Sequence, residues 1–175
     1  MGTRGSGFGT GLMRRFLGIG IAAAMAACSP QAATEAAGQA EQTAAAAVHP
    51  VSGLEIIPLT VTSGETVHRF KAELADTPAA QSRGLMFRTE LGPDEAMIFP
   101  RRERPSPASF WMKNTPLPLD IIFIGPDSRI TNIAAMTTPY SLDSVPSTGD
   151  VIGVLELIGG RAAELGIKPG DKVDW

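Results

Sequence analysis

Between Pro118 and the turn Gly125-Pro126-Asp127-Ser128 lies Leu119-Asp120-Ile121-Ile122-Phe123-Ile124, the most apolar strand-like run in the chain. Its apolar character is continuous rather than alternating, so it predicts a central strand covered on both faces. Residues 129–136 return as the second half of a hairpin. Any fold adopted by this chain must bury both sides of that strand.

The remaining elements are short. With 19 glycines and 14 prolines the chain favours many turns over long helices. Residues 54–61 read as a first strand, with a turn at Gly64-Glu65. Residues 66–74 alternate, placing His68, Phe70, Ala72 and Leu74 on one face. His68 reads as a packed or edge residue. Thr77 suits a helix N-cap, Pro78 the first helical position, and Gly84 the end. Leu85-Met86-Phe87 then packs inward. Further strands are expected over 95–99, 108–114, 150–157 and 172–175, and a second short helix over 160–165. Residues 137–149 form a long polar loop. The pattern predicts a single mainly β domain with two short helices, either a β-sandwich of jelly-roll type or a partly closed barrel.

Ahead of this domain the composition changes twice. Arg14-Arg15, the apolar run from Phe16 to Ile21 and the small residues up to Ala27 have the layout of a signal peptide over 1–28. The apolar run is too short to span a bilayer as a helix. Met25-Ala26-Ala27-Cys28 resembles a lipobox, although that pattern prefers leucine where Met25 stands. Cys28 is therefore the expected lipidation site, and Ser29 after it fits the periplasmic face of the outer membrane. A soluble periplasmic protein released by an ordinary signal is the alternative. Met13 is a second candidate for the start. Residues 29–52, rich in alanine and glutamine, read as a flexible linker with His49 solvated, and residues 53–175 as the folded domain.

Several classes of chemistry are disfavoured. A net charge of −3 and a pI near 5.4 argue against a nucleic-acid partner. One cysteine and two histidines leave little for thiol-pair redox, zinc or triad chemistry. No cofactor or metal is expected, and a monomer is.

The motifs Glu73-Leu74-Ala75-Asp76-Thr77-Pro78, Arg83-Gly84-Leu85-Met86-Phe87-Arg88, Phe110-Trp111-Met112-Lys113-Asn114-Thr115, Pro118-Leu119-Asp120-Ile121 and Val154-Leu155-Glu156-Leu157 occur in order. Gln81, Leu165-Gly166-Ile167 and Gly170-Asp171 accompany them. Together they resemble the domain-of-unknown-function family 192. That resemblance implies a compact, mainly β fold, often exported in bacteria, and brings no activity or cofactor. Ala96 stands where glycine is expected.

The chemistry converges on the central motif. As a strand it would place Trp111, Lys113 and Thr115 on one side and Phe110, Met112 and Asn114 on the other. Trp111 beside Lys113 offers a wall and a hook, with Asp120 and Glu156 as natural partners of the lysine. Arg83 and Arg88 flank the first helix. Three readings follow. The first is a small-molecule or glycan site built from Trp111, Lys113, Asn114, Asp120, Glu156, Arg83 and Arg88. The second is a structural ion-pair network in a domain that meets protein partners through its loops. The third is a hydrolase-type enzyme using Lys113, Asp120 and Glu156. The basic loop Arg101-Arg102-Glu103-Arg104 is expected to be solvated, with an anionic ligand as the alternative.

Overall fold

The computed structural model describes Gly2 and residues 47–175. The expected signal peptide, Cys28 and the linker up to residue 46 lie outside the described residues. Among those described, the order is β1 (Ile56–Ser63), β2 (Thr66–Leu74), α1 (Pro78–Arg83), β3 (Glu95–Pro100), β4 (Ser109–Phe110), β5 (Leu119–Ile124), β6 (Ile130–Ala134), β7 (Val145–Pro146), β8 (Gly153–Ile158), α2 (Arg161–Glu164) and β9 (Lys172–Asp174).

Seven strands form one sheet in the order β6-β5-β8-β3-β2-β1-β9, and β4 pairs with β7 in a small second sheet. β2 and β3 run parallel; the other neighbours are antiparallel. The outer edges of the large sheet approach each other. Arg129 bridges Lys172, the Ile130 N–H donates to the Asp171 carbonyl at 2.9 Å, and the Val173 N–H donates to the Ser128 carbonyl at 2.8 Å. The result is a nearly closed barrel, which leaves little strand edge open to another chain. A mainly β fold with a partly closed barrel and two short helices is what the spacing of short strands predicts.

Both faces of the sheet are covered. The barrel interior holds Leu59, Val61, Phe70, Ile98, Ile122 and Leu155. The outer face carries Met97, Phe99, Ile121, Phe123 and Val154 beneath Leu85, Leu91, Ala108 and Met112. β5 is buried at every position, which explains its unbroken apolar run. Ala96 lies beside Ala72 across the parallel pair. Both are fully buried on the inner face, so alanine is accommodated where glycine was expected.

Five expectations are corrected. Leu85 packs inward as expected, but Phe87 does not and is 63% exposed. The strand expected over 108–114 stops at Phe110, because the chain turns: Thr115 N–H donates to the Met112 carbonyl at 3.1 Å and Asn114 takes a φ of 55°. The polar loop over 137–149 contains β7, which pairs with β4. The linker does not reach Ser52. Val48 bridges Glu55, and the His49 N–H donates to the Leu54 carbonyl at 2.8 Å. His49 is not solvated either: its Nε2 accepts from Arg88 at 3.2 Å.

Candidate functional site

The site lies on the outer face of the barrel, where α1 and the segment after it cross β3 and β8. α1 starts as its residues dictate. The Thr77 hydroxyl accepts from the Ala80 N–H at 3.1 Å, Pro78 occupies the first turn, and Gly84 ends it at a φ of 49°. A Cβ on Gly84 would stand 3.3 Å from the Phe99 ring, so glycine lets the backbone pass close over β3. Gln81 Nε2 donates to the Pro100 carbonyl at 3.2 Å, tying α1 to the end of that strand.

The segment after β4 supplies the opposite wall. Phe110 packs edge-on against Phe99 with centroids 5.1 Å apart, and against Phe123 at 6.2 Å. That anchor holds Trp111 outward, 51% exposed. Lys113 Nζ sits 5.2 Å from the Trp111 ring centroid. The Phe87 N–H donates to the Asn114 carbonyl at 2.8 Å and joins the two walls.

The floor is Glu156. It projects from β8 between Met97 of β3 and Ile121 of β5 and is 5% exposed. Burial pushes its carboxyl up to about 8, so the group is protonated at neutral pH. Glu156 lines a notch of about 50 Å³ together with Arg83, Gly84, Met86, Trp111, Lys113 and Thr115. A groove of about 420 Å³ adjoins it, sharing Gln81, Ser82, Phe99, Phe110 and Trp111 and extending to Arg101 and Ser109.

The structure thus brings together Trp111, Lys113, Glu156 and Arg83 from the expected set. Asn114 borders the notch without lining it; its Nδ2 is 3.9 Å from Met86 Sδ. Asp120 must be withdrawn. It is fully buried and faces the other side of the sheet, because Ile121, not Asp120, stands opposite Glu156. Its carboxylate accepts the N–H groups of Met136 and Gly160, each at 2.9 Å, and of Ala162 at 2.8 Å. Asp120 therefore fixes the start of α2. Two carboxylates on opposite faces cannot flank one bond, so the hydrolase reading loses its paired acids.

Arg88 is withdrawn as well. It is buried, and its Nη1 donates to Glu73 at 2.7 Å. Ser52 Oγ also donates to the Glu73 carboxylate. This cluster clamps the segment before β1 onto β2. Gln81, Ser82 and Arg101 join the site with no sequence signal beyond the basic loop and the helix motif. Among the described residues no three His, Cys, Asp or Glu side chains cluster to hold a metal ion, and no helix is long and apolar enough to cross a membrane.

The comparisons agree with the family resemblance and add no activity. Residues 59–175 match the model of domain-of-unknown-function family 192, described as "Uncharacterized ACR, COG1430". A crystal structure of a protein of unknown function from Novosphingobium aromaticivorans DSM 12444 is similar at 59% identity and a TM-score of 0.72, covering 76% of this chain and 94% of that one. A crystal structure from Sinorhizobium meliloti 1021, described as a candidate transcription regulator, is similar at 34% identity and a TM-score of 0.66, covering 69% and 94%. No curated protein matches the chain.

Proposed function

This chain belongs to domain-of-unknown-function family 192, and from that premise we propose that it is a small-ligand-binding domain. A sugar or another ring of similar size lies on the face of Trp111, and one of its polar groups reaches Glu156. The observation that carries this reading is a buried, protonated carboxyl at the floor of a notch whose wall is a half-exposed tryptophan. A neutral carboxyl both donates and accepts, and suits a ligand hydroxyl or carbonyl. Small-molecule sites combine apolar walls with a few polar groups in this way, and perturbed acids mark them.

A second reading keeps the same residues and adds chemistry. An acid that holds its proton to about 8 is suited to general-acid catalysis. Here Glu156 would act alone, with Arg83 and Lys113 as the cations lining the same notch.

The proposal keeps the domain outside the cytoplasm, at the periplasmic face of the outer membrane, held by lipid on Cys28. That part rests on the sequence of residues 14–29. Intact mass of the membrane-bound protein, compared with Cys28→Ala, tests it; equal release of both from membranes overturns the anchor.

For the site, thermal shift of the full chain against sugars and small polar metabolites is the direct test. A ligand at 100 times its dissociation constant adds about 2.7 kcal/mol of stability. Stabilisation lost in both Trp111→Ala and Glu156→Ala supports the site. Stabilisation retained in both overturns it.

A further inference from the structure

We propose that this groove selects anionic ligands, with the Arg101 guanidinium holding a carboxylate or phosphate while the ring lies on Trp111. The inference rests on the ring-binding reading of the same site and names the class of ligand it takes.

The first ground is charge. The chain as a whole carries −3. Yet the ionisable side chains lining the notch and the adjoining groove are Arg83, Lys113, Arg101 and Glu156. The one acid among them is uncharged at neutral pH. Within the notch and this groove an acidic protein therefore presents three positive charges and no negative one, which attracts anions into a partly desolvated hollow. Beyond Arg101 the surface continues to Asp76 and Glu103 together with Arg102 and Arg104.

The second ground is the state of those cations. Among the described residues, ion pairs engage Arg88, Arg161, Lys172 and His49, and none engages Arg83, Arg101 or Lys113. Arg102, next to Arg101, is committed elsewhere: its guanidinium lies 3.9 Å from the Trp175 ring centroid and donates to the Trp175 carbonyl at 3.3 Å.

The third ground is the positioning of Arg101. Its backbone N–H donates to the Ile152 carbonyl at 2.7 Å. Its Nη2 donates to Ser106 Oγ at 3.0 Å, which orients the planar fork. Its Nε is buried and has no hydrogen-bond partner among the described residues. A buried donor without an acceptor is costly. A small shift of the side chain onto an oxyanion would satisfy it, and Arg matches carboxylate and phosphate with two parallel bonds. A groove of about 420 Å³ is of the size that holds one sugar-sized ligand.

The test is calorimetric titration of the full chain with three probes of one ring: glucose, glucuronate and glucose 6-phosphate. At low salt the anionic probes should bind about tenfold tighter than glucose. Arg101→Gln should bring them to the affinity of glucose and leave glucose unchanged. Added salt should weaken the anionic probes only. Trp111→Ala should weaken all three. Tightening by glucuronate alone assigns a carboxylate, and by the phosphate ester alone a phosphate. Ser106→Ala keeps the charge but frees the fork, and serves if Arg101→Gln does not fold; it should reduce the preference several-fold. Equal binding of all three probes, still dependent on Trp111, overturns the anion inference and leaves the ring-binding reading. Tight anion binding indifferent to Trp111→Ala overturns the ring-binding reading instead. Absence of binding by every probe overturns both.

Discussion

Asp120 and Glu156 lie on neighbouring antiparallel strands one step out of register, with Ile121 opposite Glu156 and Leu157 opposite Asp120. The two carboxyls therefore point to opposite faces of the sheet, although both are buried. Their environments differ in one respect that decides their chemistry. Three backbone N–H groups meet the charge of Asp120. Desolvation alone acts on Glu156 and holds its proton in place. One carboxyl is a structural tie; the other keeps its proton at the floor of the notch.

Glu156 should make the domain less stable as pH rises. Its carboxyl is raised from an ordinary 4.5 to about 8 in the folded state. Below the lower value both states are protonated and stability is full. Between the two values the unfolded chain ionises while the folded one does not, so stability falls. The slope is at most about 1.4 kcal/mol per pH unit. Above the upper value the loss levels off. Glu156→Gln should remove this contribution, and the difference between the two proteins should widen across that window in urea denaturation. Parallel curves would show that Glu156 titrates normally.

Asp120→Ala should be among the costlier single changes in the domain. It leaves the N–H groups of Met136, Gly160 and Ala162 without their acceptor inside the fold. Hydrogen bonds to a charged group are worth about 1.5–3 kcal/mol each, and buried donors left unmade add to the loss. A loss of about 3 kcal/mol or more is expected from equilibrium denaturation. Asp120→Asn should fall between, since its amide keeps one acceptor oxygen but turns an N–H toward a donor. Neither change should alter the pH slope due to Glu156.

The Arg88–Glu73 pair should behave as a buried ion pair rather than as part of a ligand site. Both side chains are largely buried, with Nη1 2.7 Å from Oε1. Arg88→Ala strands the Glu73 charge and should cost about 3–5 kcal/mol, whereas Arg88→Met with Glu73→Leu should recover most of it. Ligand binding at Trp111 should survive in the double variant. If the double variant is as unstable as the single one, the hydrogen bonds to His49 and Ser52, not the charge, hold the cluster together.

These residues also show what could be read before the structure. Trp111 and Lys113 were legible because two residues apart in an extended segment share a side, and they still do so although β4 ends at Phe110. The face of Asp120 was not legible. A strand buried at every position carries no alternation to reveal its faces, and its register against β8 is a contact across more than thirty residues of sequence. Arg88 read as a ligand-binding residue because its partner Glu73 lies on the far side of the α1 excursion. The fold class was plain because turn residues set strand length locally. The boundary at Val48 was not, since alanine-rich composition hides the few hydrogen bonds that begin the domain.

Phe87 is held where phenylalanine is poorly suited, and its replacement should reveal why. It is 63% exposed at a φ of 65°, a conformation that costs a residue with a bulky side chain about 1–2 kcal/mol. Its N–H still binds the Asn114 carbonyl and so joins the two walls of the notch. Its ring lies 5.9 Å from the Arg83 guanidinium carbon, an exposed contact worth about 0.5–1 kcal/mol. Phe87→Gly keeps the backbone bond, relieves the strain and loses that contact. Stability should therefore stay within about 1 kcal/mol of the parent. Strain without a folding benefit clusters at functional sites. Binding of any ligand that uses Arg83 should accordingly weaken in Phe87→Gly while the denaturation midpoint holds. A clear fall in stability with binding intact would mean that the ring serves the fold and not the site.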